Sequence, residues 1–323
     1  MVMQRNIQFD VIRALSMVYI VFIWHLSGVL GFSLDKYPVL FLLTNTALGI
    51  FFAISGYFMG RYEFHYAKDW FRYYIKRILR IIPMAGFALV SFYYSYPVSE
   101  MSVKKAVYCI TGALPFTSTT IPTLWFIGML IFFYLITPFI LSMKNDERKL
   151  ILFVVLFSLC FIFEYLKGCE IDNRIFLFFP CYFTGLMFSK QTPEEICSFF
   201  TASKTLLLTA IFAAMSYPAY NNGNVYSKVV LFQNIIGIYS GFAIFFFISQ
   251  KLSTIKTFQR IISFLAYVSF GAYLFHRPIF YCITRYTNNN VIVAICAIFA
   301  TLSVSFIVQK CCDPIKRLFS NIY

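Results

Sequence analysis

The sequence holds only three histidines among its 323 residues, and two of them, His25 and His276, lie inside long apolar runs. An imidazole can take or release a proton near neutral pH, which suits it to general-base work on a hydroxyl. It can equally serve as hydrogen-bonding glue between packed helices. Both readings stand open for His25. His276 sits in YLFHRP, where Pro278 cannot donate to the carbonyl of Leu274. A kink and a polar pocket are expected there, or else an interfacial pair made by His276 and Arg277.

Other ionisable residues fall where a bilayer makes charge costly, about 2.5–3.5 kcal/mol at mid-depth. Asp10 and Arg13 are spaced i, i+3 at the start of the first apolar run, either as a local ion pair or with Arg13 free to bind an anion. Glu164 in FIFEYLKG lies near the end of another run, where interfacial placement would satisfy it. The segment WFRYYIKRILRIIP, residues 70–83, puts Arg72, Lys76 and Arg80 on one stripe with Arg77 alongside. Such a basic amphipathic helix belongs at a membrane interface. It either grips anionic lipid or presents planar forks to the phosphates of a donor such as coenzyme A or a nucleotide.

The elements that must position these residues follow from composition. Sixty per cent of residues are hydrophobic, 12% are charged and mean hydropathy is +0.75. A soluble domain carries about twice that charge. Apolar runs long enough to cross about 30 Å of hydrocarbon as helices recur along the chain. They are expected at 11–31, 39–60, 81–97, 124–143, 150–166, 174–189, 205–220, 229–249, 261–283 and 291–309, with 103–114 a short outer or re-entrant segment. The expected fold is therefore all-α and polytopic, with about ten transmembrane helices. It forms one membrane domain over residues 1–323, with no appended hydrolase-like domain.

With the N-terminus inside, 19 of the 27 Lys and Arg residues fall on cytoplasmic segments. The chain is expected to be integral to the cell (inner) membrane, and that asymmetry favours both termini in the cytoplasm. It also accounts for the net charge of +14 without invoking nucleic acid. Nine cysteines are scattered without a CxxC pair, which fits neither a disulfide framework nor a metal site. Cys109 and Cys169 fall on the same expected outer side and could pair.

Five stretches taken in order resemble the acyltransferase-3 family of integral-membrane acyltransferases. FDVIRALSMVYIVFIWH, residues 9–25, is similar to its opening D-x-x-R followed by a histidine. GIFFAISGYFMG, residues 49–60, resembles its FF-x-x-SG segment, and KRILRIIP, residues 76–83, its R-x-x-R element. LWFIGMLIFFYLITP, residues 124–138, is a weaker likeness, and YLFHRP is similar to its late Y-L-x-H element. The resemblance implies acetyl-CoA or another acyl-CoA as donor and a polysaccharide or glycolipid hydroxyl as acceptor, with the lipid bilayer around the chain. It makes His25 the essential histidine, with Arg13 and Asp10 beside it and His276 nearer the acceptor. It also makes Arg77 and Arg80 the R-x-x-R pair; the basic stripe adds Arg72 and Lys76 to the expected donor-binding set, and Trp125 and Glu164 are expected on the acceptor side.

Two departures from the family pattern stand out. Eleven residues separate Arg13 from His25 where the family commonly has ten, and one extra residue turns a side chain by about 100° unless a π-bulge absorbs it. No carboxylate follows Trp125 where many members carry one. The rival expectation is a transporter or flippase for a lipid-linked or acylated solute, with His25 and Glu164 as a proton path.

Overall fold

The structure, a computed structural model, describes residues 6–95, 102–117, 121–167, 171–221 and 230–320. Among them every regular element is helical. Helix α1 (Ile7–Met17) continues through a π-helical segment (Val18–His25) into α2 (Leu26–Val29), forming one apolar rod of 23 residues. There follow α3 (Pro38–Met59), α4 (Ala67–Ser95), α5 (Val103–Thr111), α6 (Trp125–Leu141), α7 (Asp146–Lys167) and α8 (Arg174–Met187). The chain closes with α9 (Pro193–Ser198), α10 (Ala202–Asn221), α11 (Leu231–Ser253), α12 (Lys256–Thr284) and α13 (Asn290–Ser320).

Seven of these are long and apolar enough to cross a bilayer: the first rod, α3, α4, α7, α11, α12 and α13. Trp125–Leu141 and Ala202–Tyr217 are shorter apolar helices. Helix α8 is shorter still at 14 residues, about 21 Å along its axis. Helix α5 has nine residues, so the segment 103–114 forms a short helix that does not span.

Local chemistry sets the ends of these helices. Asn6 caps α1 by accepting from the Gln8 and Phe9 amides. Pro38 opens α3 at a position where no amide is needed. Thr192 and Glu195 form a capping box on α9. Gly112 ends α5 at φ +75°, where a Cβ would lie 2.9 Å from the Phe132 backbone nitrogen.

One expectation changes. The basic segment 70–83 is not a separate interfacial helix preceding a third span, because α4 runs unbroken through Pro83 from Ala67 to Ser95. Proline deletes a single amide, and apolar residues on both sides keep the helix continuous. Pro180 and Pro278 likewise lie inside continuous helices.

The first rod, α3, α6, α8, α11 and α12 make up the interior, while α7 and α13 lie at the periphery. α1 packs on α12, α11 and α3, and α3 packs most extensively on α8. That last contact is close because Gly56 faces the Tyr182 carbonyl and Gly185 faces the Ala53 carbonyl, where an added Cβ would come within 2.0 and 1.9 Å. Small residues draw helix backbones together in this way when lipid supplies no hydrophobic drive. Cys109 is buried with its thiol donating to the Leu124 carbonyl; its pairing with Cys169 lies outside the described residues.

Candidate active site

The rod and α12 run side by side in the same direction and carry both candidate histidines. Arg13 Nη2 donates to Ser269 Oγ on α12 at 3.2 Å. Further along, the His25 ring stacks on that of His276, with centroids 4.7 Å apart and planes 20° apart. Arg13 and His25 therefore face the same partner helix. In a regular α-helix twelve steps of about 100° would leave them roughly 120° apart, whereas eleven steps would leave about 20°. The π-helical segment Val18–His25 lies between them and absorbs the surplus residue, as π-bulges at functional sites do.

His276 is fully buried. Its Nδ1 lies 2.8 Å from the Tyr273 carbonyl and 3.2 Å from that of Ala272. A carbonyl only accepts, so Nδ1 carries the proton and donates. In neutral imidazole that leaves the lone pair on Nε2, which is buried without a hydrogen-bond partner. The partners are thus the carbonyls three and four residues back, rather than the Leu274 carbonyl that Pro278 frees. His25 Nδ1 is also buried and makes no well-formed hydrogen bond. Each of the two stacked imidazoles thus keeps one buried ring nitrogen without a hydrogen-bond partner, Nε2 of His276 and Nδ1 of His25.

Two cavities approach this pair. The histidine cavity, about 580 Å³, is lined by His25, Trp24, Asp35, Arg277, Tyr281 and Thr284, with much of its wall from the turn that follows α2. The arginine cavity, about 470 Å³, is lined by Asp10, Arg13, Arg80, Ser55, Tyr134 and Tyr267, along with apolar side chains from α3, α4 and α6. The levels of Arg13 and His25 are marked on α12 by Ser269 and His276, seven residues apart and so about 10 Å along the axis. Aromatic rings occupy the space between. Phe51 and Phe126 line the arginine cavity. Tyr273 lies against them at 6.4 and 5.0 Å between centroids and against His276 at 5.9 Å.

The basic stripe divides. Arg72 and Lys76 are exposed on α4, and Arg80, also exposed, lines the arginine cavity. Arg77 is buried instead, at 7% exposure. Its Nη2 donates to the Tyr62 hydroxyl at 2.5 Å. The rings of Tyr62, Tyr73 and Tyr134 stand 5.2, 5.9 and 6.0 Å from its guanidinium carbon, while Nε and Nη1 have no partner. Tyr134 shares a 2.6 Å hydrogen bond with Ser55 and forms cavity wall. Arg77 therefore lies behind the wall and Arg80 on it, about 60° apart on one helix.

Trp125 and Glu164 line neither cavity. The Trp125 ring is covered by the Arg174 guanidinium at 4.0 Å and stacks on Phe178. Arg174 is itself held by Asp172 at 2.6 Å. Glu164 lies on peripheral α7. Residue types alone did not point to Ser269, Tyr134, Tyr62 or the Asp313 carboxylate, which accepts from Tyr267 at 2.5 Å and from Gln309 at 3.0 Å. For the last of these the i, i+4 spacing of Gln309 and Asp313 was the available signal.

The fold and site define a multi-pass helical membrane protein that carries an imidazole pair between an arginine-bearing cavity and a second cavity. A family model described as an acyltransferase domain matches residues 6–310. The chain belongs to the acyltransferase-3 family and is a membrane acyltransferase, so the transporter reading gives way. No curated protein and no solved structure matches the chain.

Proposed function

We propose that the protein is an acyl-CoA-dependent O-acetyltransferase. It takes acetyl groups from acetyl-CoA at the cytoplasmic face and places them on a sugar hydroxyl of a surface polysaccharide or its lipid-linked precursor. In this reading the chain crosses the cell membrane ten times with both termini in the cytoplasm, so the arginine cavity opens inward and the histidine cavity outward. The observation that carries the proposal is the stacked His25–His276 pair, set about 10 Å along α12 from the level of Arg13.

Arg80 and Arg13 would contact coenzyme A phosphates directly. Arg77 would brace the Tyr134 wall from behind, and Arg72 and Lys76 would draw the anion toward the opening. The pantetheine arm passes between Phe51, Phe126 and Tyr273 to bring the thioester to the imidazoles. There a ring nitrogen takes the acceptor hydroxyl proton while the oxygen attacks the thioester carbonyl carbon. The C–S bond breaks and the thiolate leaves, regaining a proton from the imidazolium. In the alternative relay His25 itself attacks the thioester, releases the thiol and then yields its acetyl group to the sugar oxygen. Brief exposure of the protein to radiolabelled acetyl-CoA without acceptor labels His25 in the relay and leaves it unlabelled in direct transfer.

The test of the activity is comparative glycan mass analysis with and without the gene, paired with acetyl-CoA consumption by the purified protein in detergent. An acetyl increment on a surface polymer that depends on the gene supports the reading. Absence of any such increment, together with no acceptor-dependent release of coenzyme A, would overturn it.

A further inference from the structure

Arg277 is a cation that the transfer chemistry above does not use. It follows His276 directly on α12, and its side chain lines the histidine cavity instead of extending to a carboxylate partner. Its Nε is buried with no hydrogen-bond partner, and among the described residues no carboxylate pairs with it. A guanidinium at membrane depth with an open donor is costly unless a cavity or an anion receives it. Nearby carboxylate does not meet that need. Asp35, the acid on the cavity lining, accepts from the Ser33 hydroxyl in the exposed turn Leu34–Lys36. A second cation stands just beyond the lining at the end of the same helix, where Arg285 lies over the ring of Tyr281 at 4.5 Å. The remaining lining suits a sugar: Trp24 brings an indole ring, and the Ser33 and Thr284 hydroxyls, which donate to Asp35 and to the Tyr281 carbonyl, can accept at their oxygens.

The geometry points to Arg277 as an anion-recognition residue in the acceptor site, so that the acceptor is an acidic glycan and not a neutral one. This rests on the histidine cavity being the acceptor site. The guanidinium fork takes a planar or tetrahedral oxyanion through two parallel N–H bonds. It thereby sets which hydroxyl of the sugar meets the stacked imidazoles. The anion is either a carboxylate on the sugar or the phosphate that joins the sugar to a lipid carrier.

Thermal stabilisation of the full-length protein in detergent separates the possibilities. The probes are a glucuronic-acid-containing disaccharide, its glucose counterpart of the same linkage, a polyprenyl phosphate and, separately, acetyl-CoA. The expected result is that one acidic probe raises the melting temperature of the wild type and the neutral disaccharide does not. Arg277→Gln weakens that binding roughly tenfold or more, and Arg277→Lys retains part of it. A shift by the glucuronate probe assigns the anion to the sugar, and a shift by the polyprenyl phosphate assigns it to the carrier. Two outcomes overturn the proposal: neither acidic probe stabilises the wild type, or the shift is the same in Arg277→Gln or with the neutral disaccharide. Stabilisation by acetyl-CoA should persist in both variants, which shows that they are folded. Its absence from the wild type would instead count against the donor assignment above.

Discussion

The two cavities share the same pair of helices yet are built differently. The arginine cavity draws its wall from α1, α3, α4, α6, α12 and α13, and its polar groups are held in place: Arg13 on Ser269, Tyr134 on Ser55, and Tyr267 on Asp313. Seven residues of the histidine cavity, Gly28 to Asp35 apart from Leu30, come from the end of the rod and the turn after it. That turn includes Gly31 at φ +85°, a conformation that glycine adopts without strain. A wall drawn from six helices holds its side chains in fixed relation. A wall made largely of one turn can be re-shaped by a few substitutions while the stacked imidazoles stay in place.

The contrast can be broken most sharply at the imidazoles. Removing the proton acceptor from a transfer of this kind costs about 10²–10⁴ in rate. His25→Ala should therefore lose kcat on that scale while still binding acetyl-CoA, as measured by isothermal titration on the detergent-solubilised protein. Retained turnover would place the chemistry elsewhere. Arg80→Gln should act in the opposite sense. A charged hydrogen bond contributes about 1.5–3 kcal/mol, so KM for acetyl-CoA should rise roughly 10- to 100-fold with kcat little changed. Equal losses in both parameters would mean that Arg80 acts on the transition state and not on the donor.

A third change tests whether the arginine cavity depends on helix packing that lies behind it. Gly185→Ala would put a Cβ 1.9 Å from the Ala53 carbonyl, forcing α8 away from the half of α3 that carries Phe51, Ser55 and Met59. Overpacking of this sort costs about 1–3 kcal/mol. The melting temperature should fall, and acetyl-CoA affinity should fall with it. The histidine cavity has no wall from α3, so acceptor-side binding measured on the surviving folded fraction should be less affected.

How much of this was legible beforehand follows the range over which each feature is specified. Span lengths are local: among the described residues each of the ten expected apolar runs falls on a helix, although only seven of those helices are long and apolar enough to cross a bilayer. The surplus residue between Arg13 and His25 was visible by counting, and its resolution by a π segment was nameable. The fate of Arg77 was not. Three residues on one stripe and Arg77 alongside it differ little in a helical projection, and only the arrival of Tyr62 and Tyr134 from other elements decides that Arg77 is enclosed while Arg80 lines the cavity. Pairings such as Arg13 with Ser269, 256 positions apart, depend on how helices assemble, which no local pattern encodes. Trp125 shows the reverse problem. Trp125 was expected on the acceptor side, but Arg174 from α8 already covers its ring.

The smallest expected effect bears most directly on how the two cavities are joined. If the π segment exists to return His25 to the face that carries Arg13, then deleting one residue from within Val18–Trp24 should be tolerated. The segment would close into regular α-helix, and the separation would become eleven steps, placing the two side chains about 20° apart. Activity should then stay within about tenfold of wild type, the loss coming from one missing rise along the rod. Deleting two residues would swing His25 about 100° off α12, and activity should collapse to the level of His25→Ala. Should the single deletion prove as damaging as the double, the wider π turn is itself needed, because it sets the depth of the ring against His276 as well as its direction. The stacking of two imidazoles from separate helices would then be the feature that fixes the length of the rod, and the arginine cavity would be positioned from it.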